Sequence, residues 1–134
     1  VTAAYGRDSF ISEESTVLAL DSDGRMHLGY GCWYPASSAV GNIEVHVHVY
    51  DTRDDRPELR AEAYRLLCRY LFDSRPIERV QLMLHPGDDI GQESAAASGF
   101  RKEGSLTSMF FALGEWQDVE LWSVLREELT DARG

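Results

Sequence analysis

Hydrophobic and polar positions alternate most cleanly between Asn42 and Tyr50. Ile43, Val45, Val47 and Val49 fall on one set of positions, and Glu44, His46, His48 and Tyr50 on the other. A period of two sends these sets to opposite faces of a β-strand. Upstream, Thr16–Leu20 and Met26–Tyr34 flank Asp21-Ser-Asp-Gly24, a turn with glycine where a positive φ is needed, so this stretch predicts a hairpin followed by a loop at Pro35–Ser38. Downstream the period lengthens. Leu59, Ala63, Leu66, Leu67, Tyr70 and Leu71 form a helical stripe from Pro57 to about Phe72, with the proline at the first position, where a missing N–H costs nothing. Ile77–Leu84 predicts another strand, and Gln92–Ser98 a short helix stopped by Gly99. Phe100–Leu125 predicts two strands around Leu113-Gly-Glu-Trp116, followed by an acidic tail. Residues 1–14 carry no period and predict an extended or poorly ordered lead-in to a single domain at 15–134.

Strand–helix–strand across residues 42–84 implies a right-handed parallel crossover. The predicted class is mixed α/β, with one mostly antiparallel central sheet and helices on its faces.

Composition narrows the functions open to this chain. At 134 residues and 43% apolar it has the size and composition of one globular domain with a substantial core. No apolar run approaches the length of a membrane span, and Val1-Thr-Ala-Ala-Tyr5 has no signal-peptide character, so a cytoplasmic address is expected. The 13 basic and 23 acidic residues leave a net charge of −10, with Lys102 the only lysine. A field of that sign disfavours nucleic acid and anionic membranes and favours amine-bearing partners. Cys32 and Cys68 lack a C-x-x-C spacing and sit in apolar stretches, which predicts buried thiols. Glu44, His46 and His48 on one strand face match a zinc set in type, but no further ligand pattern accompanies them, and no metal site is assigned.

Three passages carry a resemblance to a known family. Glu62-Ala63 followed by Leu66-Leu67-Cys68-Arg69-Tyr70-Leu71-Phe72, Ser98-Gly99-Phe100-Arg101-Lys102-Glu103-Gly104 and Gly114-Glu115-Trp116-Gln117-Asp118-Val119-Glu120-Leu121 resemble, in order, three segments of the GNAT N-acyltransferase superfamily. These are its helix after the phosphate loop, its "L-G-F-x-x-E-G" turn and its "G-x-W-x-D-V-x-L" hairpin, in the branch of the ribosomal-protein-alanine acetyltransferases. The resemblance implies transfer of an acetyl group from acetyl-CoA to the amine of a small molecule or a protein N-terminus. It places Glu44 and His46 at the acceptor as proton-accepting groups, and Val49, Arg53, Arg56, Leu59, Arg60 and Asp88 against the cofactor.

The chain also departs from that family. The glycine-rich phosphate loop is replaced by Asp55-Arg56-Pro57-Glu58-Leu59-Arg60, whose carboxylates predict a helix start capped by the protein itself. Ala95 stands where many relatives carry a tyrosine acid, and Tyr30, Tyr34 and Tyr50 are the other hydroxyls to consider. The first strand and two helices of the family find no room. Their absence predicts an open sheet edge and hence a homo-dimer or hetero-complex. The alternative function is a GNAT-fold protein that binds a ligand or partner without catalysis or CoA.

Overall fold

The structure, a computed structural model, describes residues 2–6, 16–21, 27–36 and 41–133, with side chains at 28–36 and 41–129. Its seven strands are β1 (Thr2–Gly6), β2 (Thr16–Asp21), β3 (His27–Pro35), β4 (Asn42–Val49), β5 (Arg79–Leu84), β6 (Arg101–Ala112) and β7 (Glu115–Leu125). The helices are α1 (Pro57–Ser74), α2 (Asp89–Ala97) and α3 (Arg126–Arg133). The strands form one sheet in the order β1-β2-β3-β4-β5-β7-β6. Every neighbouring pair is antiparallel except β4 and β5, which α1 joins as the expected parallel crossover.

Alternation in β4 is reflected in its burial. Val45, Val47 and Val49 are buried while His46, His48 and Tyr50 are exposed. The buried valines join Trp33, Val80, Leu82, Leu84 and Val124 of the sheet and Leu59, Tyr64, Leu67 and Leu71 of α1 in one core. Ala95 of α2 and Leu129 of α3 complete it, so all three helices lie on this face. Gly31 permits the contact of α1 with β3, because a Cβ there would come within 2.8 Å of the Leu67 side chain. On the other face stand Tyr30, Cys32, Tyr34, Glu44, His46, His48 and Gln81, and none of the described helices covers them. Cys68 is buried and Cys32 partly so, and both are free thiols.

Three expectations change. The lead-in holds a strand: Thr2–Gly6 pairs with β2 from Thr2↔Asp21 to Gly6↔Val17, so the missing first strand is present and the edges of the sheet are β1 and β6. A short edge strand takes its shape from its partner, and no period of its own announced it. The short helix begins three residues early, at Asp89, because Asp88 caps it by accepting from the Gly91 N–H at 2.9 Å. The acidic tail is a helix. Glu128 reaches back to the Leu125 N–H at 2.9 Å, and Arg126 donates to the carbonyls of Ile77 and Arg75 at 2.9 and 2.6 Å.

Gly99 has φ +100°, as a left-handed helix stop requires. Residues 22–24 of the turn and 37–38 of the loop lie outside the described residues, although the antiparallel pairing of β2 with β3 bears out the hairpin itself. The β6–β7 hairpin turns through Leu113 (φ 53°) and Gly114 (φ 81°) and carries Phe111, Leu113 and Trp116 at its exposed tip. No described helix is long and apolar enough to cross a membrane.

Candidate functional site

The parallel strands β4 and β5 pair only through Asn42↔Arg79, Ile43↔Val80 and Glu44↔Gln81. Beyond that point they part. Tyr50 donates to Leu28 and Ala36 to the Asn42 carbonyl, so the even-numbered residues of β4 turn their backbone groups toward β3. The odd-numbered residues therefore point theirs toward β5, and those of Val47 and Val49 have no ladder partner. Arg126 donates to Glu78 in the ladder of β7 with β5, which by the same alternation turns the backbone groups of Met83 toward β4. The result is a wedge with free donors and acceptors along both walls. A cavity of about 280 Å³ fills it, lined by Val47, Arg60, Tyr64, Leu82, Met83 and Asp88 among others.

Glu44 stands at the apex of the wedge. The Tyr34 hydroxyl donates to its Oε2 at 2.7 Å, and Gln81 Nε2 donates to its Oε1 at 2.9 Å. Gln81 is fixed in turn by Asn42 Nδ2 and an Arg79 Nη, each donating to its Oε1 at 3.1 Å. A carboxylate bound through both oxygens cannot swing, so its direction is set before anything binds. Burial pushes the Tyr34 hydroxyl far above its ordinary value, and the bond to Glu44 adds to this, so it is protonated at neutral pH. His46 follows on the same face. Although its ring is exposed, its pKa is lowered, mainly by partial desolvation and then by His48 and Arg60, which outweigh the opposing pull of Glu44. Tyr30 gathers the remaining rings, with centroids 6.5 Å from His46, 5.4 Å from His48 and 6.1 Å from Tyr50.

The mouth of the wedge is built differently from its expectation. Arg56 is the N-cap of α1 and makes no side-chain capping bond. Asp55 does not cap the helix either, because Arg60 takes it through two bonds of 2.6 Å. A bidentate guanidinium outcompetes a helix dipole for a carboxylate. Pro57 has no N–H, which leaves Glu58 and Leu59 as the free donors of the first turn. Arg60 also donates to Asp88 at 2.9 Å, tying α1 to the N-cap of α2. The side chains of Asp55, Arg60 and Asp88 are 17, 15 and 29% exposed, so this triad is largely withdrawn from water. The Asp55 bond and, second to it, Asp88 raise the Arg60 pKa against the cost of burial, so the guanidinium is charged throughout.

The structure thus brings Glu44 and His46 together at the apex and joins Arg60 to Asp88 at the mouth. Val49 lies on the wedge wall, where its backbone is free. Arg53 stands apart on the preceding loop, 88% exposed and paired with Asp51 at 2.7 Å. The Leu59 side chain is buried in the core, so only its N–H faces the mouth. Ala95 is fully buried against the core and brings no hydroxyl. Tyr34, Gln81 and Asp55 were not read as partners of these residues, because only the register of β3, β4 and β5 and the fold of the loop bring them there. His85 closes the far end: the Gly87 N–H donates to its Nδ1 at 3.0 Å, which assigns the proton to Nε2, 3.1 Å from Gln117 Oε1. Among the described residues no three His, Cys, Asp or Glu side chains group as metal ligands.

No protein-family model and no curated protein matches the chain. Solved structures do. A spermidine N-acetyltransferase from Vibrio cholerae, in complex with CoA and spermine, superposes with a TM-score of 0.78 at 14% identity, over 88% of this chain and 69% of that one. A ribosomal-protein-S5-alanine acetyltransferase from Vibrio fischeri gives 0.74 at 17% identity, over 87% of this chain and 64% of that one. The fold is that of the GNAT N-acyltransferases.

Proposed function

We propose that the chain is an acyl-CoA-dependent N-acetyltransferase that moves an acetyl group to a primary amine. The wedge between β4 and β5 carries this reading. An extended chain with amide groups can occupy the gap as an added strand, using the free backbone groups of Val47, Val49 and Met83. The pantetheine arm of CoA is such a chain. Laid there, it puts the thioester toward the apex, beside Glu44, and the phosphates toward the start of α1. The Glu58 and Leu59 N–H groups and the Arg53 and Arg56 side chains are the donors on that side. Arg60 contributes only as far as it releases Asp55 or Asp88.

Glu44 accepts the proton of the attacking amine, and Gln81 holds it in place. His46, an exposed ring whose partial desolvation favours the neutral form, is a second proton acceptor on the same face. Inward N–H groups beyond the last ladder pair donate to the carbonyl oxygen as negative charge develops there. The uncovered face beside Glu44 is open to an amine, and the net charge of −10 draws cationic molecules toward it. Spermidine and a peptide with N-terminal alanine, taken from the two structural neighbours, are the first acceptors to try.

Calorimetric titration with acetyl-CoA and CoA, at low and moderate salt, tests this reading. Micromolar binding that weakens with salt, together with acetyl transfer to either acceptor, is expected. No binding at millimolar cofactor would instead leave a GNAT fold that binds a ligand or partner without catalysis.

A further inference from the structure

A chain laid between β4 and β5 meets strand edges that answer its amides, but any other polar group it carries needs a side chain. Tyr64 of α1 lines that wedge. It is 3% exposed, the only buried tyrosine among the described residues, and its ring packs on Phe100 with centroids 5.7 Å apart. The Arg60 guanidinium lies beside the hydroxyl and, having donors alone, can bond only its oxygen. Burial pushes the hydroxyl up to about 12 against the pull of Arg60, so it keeps its proton at neutral pH. Asp88 and Asp55 act on it only at a distance, so that proton is left for a group in the wedge. Side chains on a helix lean toward its N-terminus, so the hydroxyl lies over the turn that carries Arg60. At about 1.5 Å of rise per residue, that turn is within about 5 Å of the Glu58 and Leu59 N–H groups along the axis.

We propose that Tyr64 is a specificity residue for the acyl donor, its O–H donating to the hydroxyl of the pantoate unit of CoA. This rests on the acyltransferase reading above. Both amides of the pantetheine arm have counterparts in a peptide, and the strand edges can satisfy them. The pantoate hydroxyl has none. It follows the phosphates directly in the arm, so with the phosphates at the start of α1 it falls just inside the mouth, at the height of the Tyr64 hydroxyl. A thioester without pantoate cannot make this bond and leaves the Tyr64 O–H unpaired in a withdrawn site. The contact therefore favours pantetheine-bearing donors over shorter thioesters.

Tyr64→Phe, which keeps the ring contact with Phe100, tests the assignment in the full chain by calorimetry. The two ligands are CoA and a CoA analogue in which hydrogen replaces the pantoate hydroxyl. For CoA the Kd is expected to rise about three- to tenfold in the variant. For the deoxy analogue the variant is expected to bind within about twofold of the parent, or more tightly. Equal weakening with both ligands would make Tyr64 a support of the wedge and overturn the proposal, as would unchanged CoA binding. Should Tyr64→Phe fold poorly, the parent labelled with 3-fluorotyrosine is read by fluorine NMR. The resonance shielded from a soluble paramagnetic agent is expected to shift with CoA and to shift less than half as far with the deoxy analogue. Equal shifts overturn the assignment. A parent chain that binds neither ligand at millimolar concentration would end the acyltransferase reading and this assignment with it, whereas equal weakening by the variant removes the tyrosine alone.

Discussion

Asp88 holds two positions at once, and replacing it with asparagine separates them. Its Oδ1 caps α2 by accepting from the Gly91 N–H, and its Oδ2 accepts from Arg60, both at 2.9 Å. Asparagine caps a helix about as well as aspartate, so Asp88→Asn keeps the first bond, but its amide nitrogen takes the place of Oδ2 and cannot accept, so the bond to Arg60 is lost with the charge. A hydrogen bond between charged groups contributes about 1.5–3 kcal/mol when buried and less where water reaches it, and Arg60 keeps Asp55, so the expected loss of stability at this partly exposed pair is about 1 kcal/mol. For a chain of this size that lowers Tm by about 3–5 °C. The effect on cofactor binding has the opposite sign. Were a phosphate bound one Debye length, about 8 Å, from this carboxylate, an effective dielectric of about 40 would make the repulsion about 1 kcal/mol per phosphate charge before screening. Removing it should tighten CoA binding by about five- to tenfold, most at low salt, and it also frees part of Arg60 to face the phosphates. Calorimetry gives the Kd and a thermal melt gives the Tm. A lower Tm with unchanged or weaker CoA binding would refute the placement of the phosphates at this mouth. An unchanged Tm would refute the contribution of the ion pair.

Glu44→Gln removes the proposed base without changing its size and should cut kcat by about 10²–10⁴-fold while leaving CoA affinity as it was; an unaffected rate ends that assignment. Partial desolvation lowers the His46 pKa, so the unfolded chain takes up a proton first as pH falls through the ordinary histidine value of 6.5. Stability should therefore decline from that point until the folded chain is protonated too, and urea melts of His46→Gln across the same range should show a flatter profile. At the hairpin tip, Leu113, Trp116 and Phe111 are 98, 64 and 61% exposed, with Phe110 and Met109 beside them. Together they present about 500 Å² of apolar surface, against about 800 Å² per partner in a standard interface. We propose that a second copy covers it, apolar tip against apolar tip, with the exposed Glu115 of each chain beside the contact. Leu113→Asn puts an Asn-Gly pair into the turn, where positive φ favours it, and should raise Tm while weakening self-association. A parent chain that sediments as a monomer at high micromolar concentration would overturn the interface.

Elements whose character is written in neighbouring residues were legible in the sequence, and those that depend on distant partners were not. The alternation along β4 placed Glu44 and His46 on one face and the valines in the core. The stripe of α1 needed no partner to be recognised. By contrast, β1 is five small or mixed residues whose conformation comes from pairing with β2, and among its described side chains α3 has one in the core, Leu129, in a mostly polar run. What holds α3 is Arg126, bound to carbonyls 49 and 51 residues away.

The same division runs through the site. Glu44 could be chosen from its strand, but its two partners come from Tyr34, ten residues back, and Gln81, 37 residues on. Arg60 looked free to meet a phosphate, because its second carboxylate, Asp88, lies 28 residues away. Both differences have one physical origin. A charged or hydroxyl-bearing side chain near a parting pair of strands leaves water only if a partner satisfies it, so its availability for chemistry is decided by register and crossover. At the apex those partners orient Glu44 toward the open face. At the mouth they engage Arg60, which is why the apex of the wedge is preorganised while the mouth would have to exchange one ion pair for another to take up an anion.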